Sequence, residues 1–522
     1  MPLFQWTLTL LVAAVVLSAI ARRLRVPYPS LLALLGVALA FIPGTPHPVL
    51  SPELALALFV APVLLDAAYD ASPRDLRKHW LPITALVLAA VGITTVAVAV
   101  VLRLLVPELP WAAAIAAGAI TAPPDAAAAS AVLKENRPPH RILQILEGES
   151  LFNDASALLV YRIAVAVAMG SSFEPASAAP MVLGVVAGSM LGGVAVAWVH
   201  TRVLQRITDV PSAIVMQFAG TFGVWIAAEH AGLSGILAVV AFAITIARRA
   251  PATTPARIRL PSNAVWATTV FILNALAFVL IGLQVGPILE RLDAPTRAHY
   301  ALVALAALLA VVLARFAWVM GYDAVARWRA RGLPAAPDGS SASFKGGLIV
   351  SWCGMRGIIT LASALALPEG FPGRDLILVV AFTVVVGTLV LQGLTLRPLL
   401  AWVRLRDDEP VAREITLAHR HLLTRALGVI DGNTSEAASA LRYELEALWR
   451  PLAANRSRVT IDHAEYLGLR REVNAAARLE LVRLRDRGEI GDDAFHAVEQ
   501  KLDRAELYAG TRSRTARESD PP

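Results

Sequence analysis

The segment Glu147-Gly148-Glu149-Ser150-Leu151-Phe152-Asn153-Asp154 sets three carboxylates, a hydroxyl and a carboxamide within an otherwise apolar stretch of chain. On a helix, Ser150 and Asp154 are one turn apart and share a face. Upstream, Thr121-Ala122-Pro123-Pro124-Asp125 places two adjacent prolines before another carboxylate. The prolines remove two helical N–H donors and disfavour the α conformation just before them, so a helix is expected to break there and free carbonyls beside Asp125. Carboxylate, hydroxyl and carbonyl oxygens are hard donors that suit a small desolvated cation better than a soft metal. A structural kink is the plainer account of the prolines, but the carboxylate at the break favours a cation site. Asn153 can hold the broken backbone or belong to a purely structural network. Glu149 points about 100° away from Ser150 and need not share that site. Its expected partner is Arg356, in Ser351-Trp352-Cys353-Gly354-Met355-Arg356-Gly357, as an architectural ion pair among glycines that permit close backbone approach. No HExxH, P-loop or GxGxxG motif is present. The single cysteine excludes a disulfide framework or a Cys-rich zinc site, and nothing resembles a soluble catalytic centre or requires a cofactor.

The elements that must position these residues are membrane helices. Of 522 residues, 57% are hydrophobic and 17% charged, with a mean hydropathy of +0.61. A soluble protein carries roughly a quarter charged residues, so a soluble enzyme with one anchor is excluded. Residues 1–406 hold 29 Lys/Arg against 19 Asp/Glu, and 407–522 hold 18 against 21. A polytopic body is therefore followed by a charged tail. The basic excess lies between apolar segments and does not indicate nucleic-acid binding. A spanning helix needs roughly 20 mainly apolar residues. That length predicts thirteen spans near 3–21, 27–43, 52–71, 79–106, 110–133, 142–169, 178–201, 212–229, 231–247, 262–289, 299–326, 346–368 and 375–396. Loops after odd spans 1–11 hold 19 Lys/Arg and those after even spans 2–12 hold 3. By the positive-inside rule this puts the N-terminus outside and the tail in the cytoplasm. The first span is not a signal peptide, because Arg22, Arg23 and Arg25 follow its apolar run.

Ionisable residues inside spans are costly and usually functional. Asp66, Asp125, Glu147, Glu149 and Asp154 lie deepest. Arg103, Asp70 and Asp323 fall near span ends, where the interface is within reach, and are given no role. Arg162 and Arg315 stay open. Gly184, Gly188 and Gly192 predict close helix packing. Glu229 and His230 fall at an outer turn, with a solvated or capping role expected. In the tail, amphipathic patches at Ala437–Trp449 and Glu465–Arg487 flank a helix breaker, Asp431-Gly432-Asn433, on one side. Both a regulatory and a loosely packed solubilising tail fit.

Together, EGESLFND and the preceding APPDAAAASAV resemble bacterial sodium/proton antiporters of the monovalent cation:proton antiporter-1 family, the NhaP-type group related to eukaryotic sodium/proton exchangers. PYPSLLALLGVALAFIPG, LFVAPVLLDAAY, LSGILAVV, LNALAFVLIGLQV, WCGMRGIITLASALALP and TLVLQGLTLRPL follow in family order over about residues 25–400. The resemblance implies an all-α polytopic membrane protein of thirteen helices built as inverted repeats. Spans 4–6 and 11–13 would form a moving core, spans 1–3 and 7–10 a dimer-forming scaffold, and helices 5 and 12 would be unwound and crossed. It implies Asp154 as the essential cation- and proton-binding carboxylate, Asn153 as its neighbour, Asp125 on the unwound helix, Ser150 as a supporting hydroxyl and Asp66 completing the site. Na+ would be held by Asp154, Asp125 and Ser150, and Glu149 and Arg356 would form the stabilising pair.

The partners implied are a monovalent cation, protons, the lipid bilayer of a bacterial plasma membrane and a second copy of the chain. Pro124 departs from the family, many members of which have Thr there. A carbonyl can still coordinate from that position, but a hydroxyl cannot. The Asn-Asp pair is the family mark of electroneutral exchange, in a role in sodium and pH homeostasis. The expected mechanism is competition of cation and proton for Asp154 with alternating access. A cation channel and an intramembrane aspartyl protease are the alternatives, the latter opposed by the lack of a GxGD motif.

Overall fold

The computed structural model describes residues 2–24, 26–43, 51–125, 129, 133, 138–170, 175–290, 292–329, 343–404, 410–449 and 463–503. Among these residues there is no strand. Helices satisfy their own backbone groups, which lipid cannot do, so an apolar chain of this kind is driven to them. The first half of the membrane part contains α1 (Pro2–Leu24), α2 (Tyr28–Ala40), α3 (Ala61–Asp70), α4 (Val91–Leu105), α5 (Trp111–Thr121), α6 (His140–Ala168) and α7 (Pro175–Leu204). It continues with α8 (Val210–His230), α9 (Gly235–Thr253), α10 (Ala256–Leu283), α11 (Ala294–Arg329), α12 (Phe344–Trp352), α13 (Ile358–Leu365) and α14 (Arg374–Val403). Among the described residues, seven helices are long and apolar enough to cross a membrane by length and composition.

Several expected spans are interrupted. In the 110–133 segment the helix ends at Thr121, Ala122–Asp125 are not helical and Ala129 and Leu133 are helical again, and the 346–368 segment is split by Cys353–Gly357 into α12 and α13. The helices before α3 and α4 each contain a wider π turn, at Leu56–Val60 and Ala85–Ala90. In the second, the Val87 carbonyl accepts a hydrogen bond from Ser156 Oγ at 2.8 Å, so the altered winding also ties this helix to α6.

Packing relies on small residues, as it must where lipid is as apolar as the helix surface. α5 presents Ala113, Ala114, Ala116, Ala117 and Ala119, all fully buried, among α4, α6, α13 and α14. α2 and α10 cross at Gly36 and Gly282, where a methyl on either would run into the backbone of the other helix. The expected Gly184/Gly188/Gly192 motif is only partly used. Gly188 meets Leu233, but Gly184 and Gly192 face open space, and it is at Gly193 that a methyl would run into the Ala238 carbonyl of α9.

The tail forms α15 (Pro410–Val429), α16 (Glu436–Trp449), α17 (His463–Asp486) and a last helix over 492–503. Gly432, with φ of +79°, ends the link after α15 in a conformation that glycine adopts freely. Leu422, Leu481, Leu484, Phe495 and Val498 make a separate apolar core. The tail is docked on the membrane part. Arg74 donates to Glu414 at 2.9 Å and to the Gly488 carbonyl at 3.2 Å. Arg259, buried at the start of α10, pairs with Asp503 and with Glu499 at 3.4 Å. His496 stacks on Tyr69 and lies 3.4 Å from Glu499. Burial works against its charge, but Glu499, Asp70 and Asp492 outweigh it and hold the imidazole above its ordinary value.

Removing one partner of a buried ion pair costs about 3–5 kcal/mol. Asp503→Ala is therefore expected to release the docked tail, read as faster amide exchange over 463–503, and unchanged protection would contradict the contact. A raised histidine stabilises docking fully below its unfolded value, roughly 6.5. That contribution disappears as pH rises through the docked value. His496→Gln should remove this part of the pH dependence of tail protection.

Candidate functional site

The site begins with two broken helices. α5 stops at Thr121, and Ala122–Asp125 continue without helical structure. α12 stops at Trp352, and Cys353–Gly357 run on before α13. The two broken segments touch, with the Asp125 N–H donating to the Met355 carbonyl at 2.6 Å. Gly357 is required at this contact, because a methyl there would occupy the position of the Asp125 carboxylate.

Every helix end leaves carbonyls without intrahelical donors, and here two buried arginines supply them. Arg356 donates through Nε to Thr121 at 3.0 Å, through Nη2 to Ala122 at 3.1 Å and through Nη1 to Gly354. Its charge thus sits at the carbonyl end of α5, where a cation is favoured. Arg315, from α11, donates to the Val350 carbonyl near the end of α12 through Nε at 3.3 Å and Nη2 at 3.1 Å. The same guanidinium holds Glu149 in a two-pronged pair at 2.6 and 2.9 Å. The expected Glu149–Arg356 pair is therefore corrected. Glu149 is bound by Arg315, and the donors of Arg356 are taken up by backbone carbonyls.

Beside the crossing lies a cavity of about 310 Å³ lined by Asp66, Asp125, Ser150 and Asp154, together with Glu147 and Asp70. Asp154 is 7% exposed. Ser150 and Asp154 share this lining as one-turn spacing on α6 requires. Asp70, assigned no role from its position near a span end, also borders the cavity. Asn153 is not on the lining. It is fully buried, and its Nδ2 donates to the Pro124 carbonyl at 3.0 Å, which fixes the broken backbone next to Asp125. Among the described residues no three Asp, Glu, His or Cys side chains converge tightly enough to hold one metal ion. The carboxylates line one space, and neutral oxygens must complete any coordination within it.

Three polar cavity residues were not singled out from sequence, Tyr28 on α2, Asn274 on α10 and Thr360 on α13. The available signal was a polar side chain inside an apolar run. Arg162 and Glu229 lie away from the cavity. They pair with each other at 2.7 Å, and Glu229 also accepts from the Gly235 N–H at the start of α9 at 3.0 Å, a capping role.

An all-helical membrane body in which two broken helices meet beside buried carboxylates has the construction of a secondary transporter. The transmembrane model of the sodium/hydrogen exchanger family matches residues 9–402, and the chain belongs to that family, which is one of transporters and not of enzymes. It is 33% identical over 438 residues to the uncharacterized Na+/H+ exchanger YjcE of Escherichia coli K12, covering 79% of each chain. It is 32% identical over 419 residues to the sodium, potassium, lithium and rubidium/H+ antiporter of Bacillus pumilus, covering 77% of this chain and 61% of that one. The solved structure of the sodium proton antiporter MjNhaP1 from Methanocaldococcus jannaschii shares the fold, with a TM-score of 0.58 at 18% identity over 77% of this chain and 98% of that one.

A double-mutant cycle checks the corrected ion pair. Glu149→Ala and Arg315→Ala are each expected to lower thermal stability, by about 3 kcal/mol or more. Together they should cost far less than their sum. Strictly additive losses would contradict the pairing.

Proposed function

We propose that this chain exchanges Na+ for H+ across a bacterial plasma membrane, with cation and proton competing for Asp154. The observation that carries the reading is the burial of Asp154 in the cavity beside both helix breaks, in a chain of the exchanger family. A bare carboxylate is costly in so enclosed a place, so Asp154 must hold either a proton or a cation. Asp125 and Ser150 assist the cation, and Asp66 faces it from α3. The Pro124 carbonyl is available as a further oxygen, since its bond from Asn153 occupies only one of its two lone pairs.

In this reading residues 1–406 are the transport domain and 407–522 a cytoplasmic tail. Spans 4–6 and 11–13 move against spans 1–3 and 7–10, and the latter join two copies of the chain. The alternation of basic loops supports an outer N-terminus and a cytoplasmic C-terminus. One cation exchanged for one proton at an Asn-Asp site makes the cycle electroneutral. The Bacillus relative, named for four alkali cations, makes K+, Li+ and Rb+ the cations to test beside Na+. Membership of an exchanger family leaves no support for the channel or the protease.

The test is dye-reported proton flux in inside-out vesicles with each cation added separately. Wild type is expected to show cation-evoked dequenching, and Asp154→Asn none at equal insertion and fold. Robust exchange by a folded Asp154→Asn variant would sink the assignment, as would cation current without a coupled proton.

A further inference from the structure

The cavity has two walls of different make. Asp125, Ser150 and Asp154 form one. α2, α3 and α10 contribute the other, with Asp66, Asp70, Tyr28 and Asn274 as polar groups. Asn274 stands in Phe271-Ile272-Leu273-Asn274-Ala275-Leu276-Ala277-Phe278, where no other side chain is polar. It is 5% exposed, and its Oδ1 has no hydrogen-bond partner among the described residues. An unpaired carboxamide oxygen is costly to bury, and here it borders the space that holds Asp154. Tyr28 borders the same space, its ring 5.9 Å from that of Phe271, one turn before Asn274 on α10. Tyr28 and Asn274 each lie eight residues before the glycine at which their helices cross, Gly36 and Gly282. That crossing holds the two side by side about 12 Å along the helices.

We propose that Asn274 is a ligand of the transported cation, its Oδ1 completing from the opposite wall the coordination begun by Asp154 and Asp125, and that it helps to select among alkali cations. The proposal rests on the cation/proton exchange reading. A carboxamide oxygen adds coordination without charge, so it leaves one cation exchanged for one proton. Its position is set by a helix crossing and not by a flexible loop, so it discriminates cations by size. Because it comes from the wall that does not carry Asp154, the ion bridges the two walls, and Asp154 carries the ion away only by giving up this ligand.

Exchange is measured in vesicles for wild type, Asn274→Leu and Asn274→Asp, with Asp154→Asn as the control for the underlying reading. Asn274→Leu keeps the approximate size and removes the oxygen. Its KM for Na+ is expected to rise about tenfold with a much smaller change in maximal rate, and its Na+/K+ preference to shift. Asn274→Asp keeps an oxygen in place and is expected to hold KM at or below the wild-type value. Na+-dependent thermal stabilisation of the purified proteins should follow the same order. Unchanged KM and unchanged cation preference in Asn274→Leu would overturn the proposal. So would a fall in maximal rate with unaltered KM, or a loss of thermal stability shared by both variants, since each marks a structural role. If Asp154→Asn retains exchange or wild type shows none, the exchange reading fails first and the assignment of Asn274 falls with it.

Discussion

Broken backbone can stay buried in a membrane protein only if its carbonyls find donors, and the rest of this molecule is arranged around that requirement. Arg356 supplies the end of α5, and Arg315 supplies the end of α12. Neither arginine could be buried in lipid-facing structure. Both are kept inside because helix-end carbonyls, and in one case Glu149, surround the guanidinium. The two breaks then lean on each other through the Asp125 N–H and the Met355 carbonyl. The cavity that holds Asp154 thus lies beside backbone that would be intolerable elsewhere.

This arrangement separates support from chemistry. Glu149 and Asp154 lie on one helix, five residues apart, yet the first is neutralised by a fixed guanidinium and the second faces the cavity. A carboxylate with a permanent cation cannot exchange a proton for an ion. Among the described residues Asp154 has no such ion pair and is 7% exposed on the cavity wall. Asn153 belongs to the supporting set, since its hydrogen bond is to the Pro124 carbonyl and not into the cavity. Its amide locks the broken segment that carries Asp125, which is how a neutral neighbour can shape the site.

The tail extends the same logic to the protein's surface. Arg259 is buried at the start of α10 where Asp503, Glu499 and the Thr254 carbonyl reach it. Tyr69, at the end of α3, packs on His496 one residue before Asp70, which borders the cavity. The docked tail and the cavity therefore meet at one helix end.

Much was legible in order of residues alone. Long apolar runs set the helices, since length and hydropathy are local properties, and the Pro123-Pro124 pair marked the break in α5 because proline acts on its own backbone. The sharing of a face by Ser150 and Asp154 followed from helical periodicity. The partner of Glu149 did not follow. Arg315 lies 166 residues away, and two buried arginines competed for one carboxylate in any reading by type. Only the folded chain showed that Arg356 is already engaged by carbonyls. Tyr28 and Asn274 were hidden for the same reason, each a single polar residue on a different helix, joined by a crossing at Gly36 and Gly282. Local backbone chemistry is written in neighbouring residues, whereas the pairing of buried charges is decided by which helices pack together, and that depends on the whole chain at once.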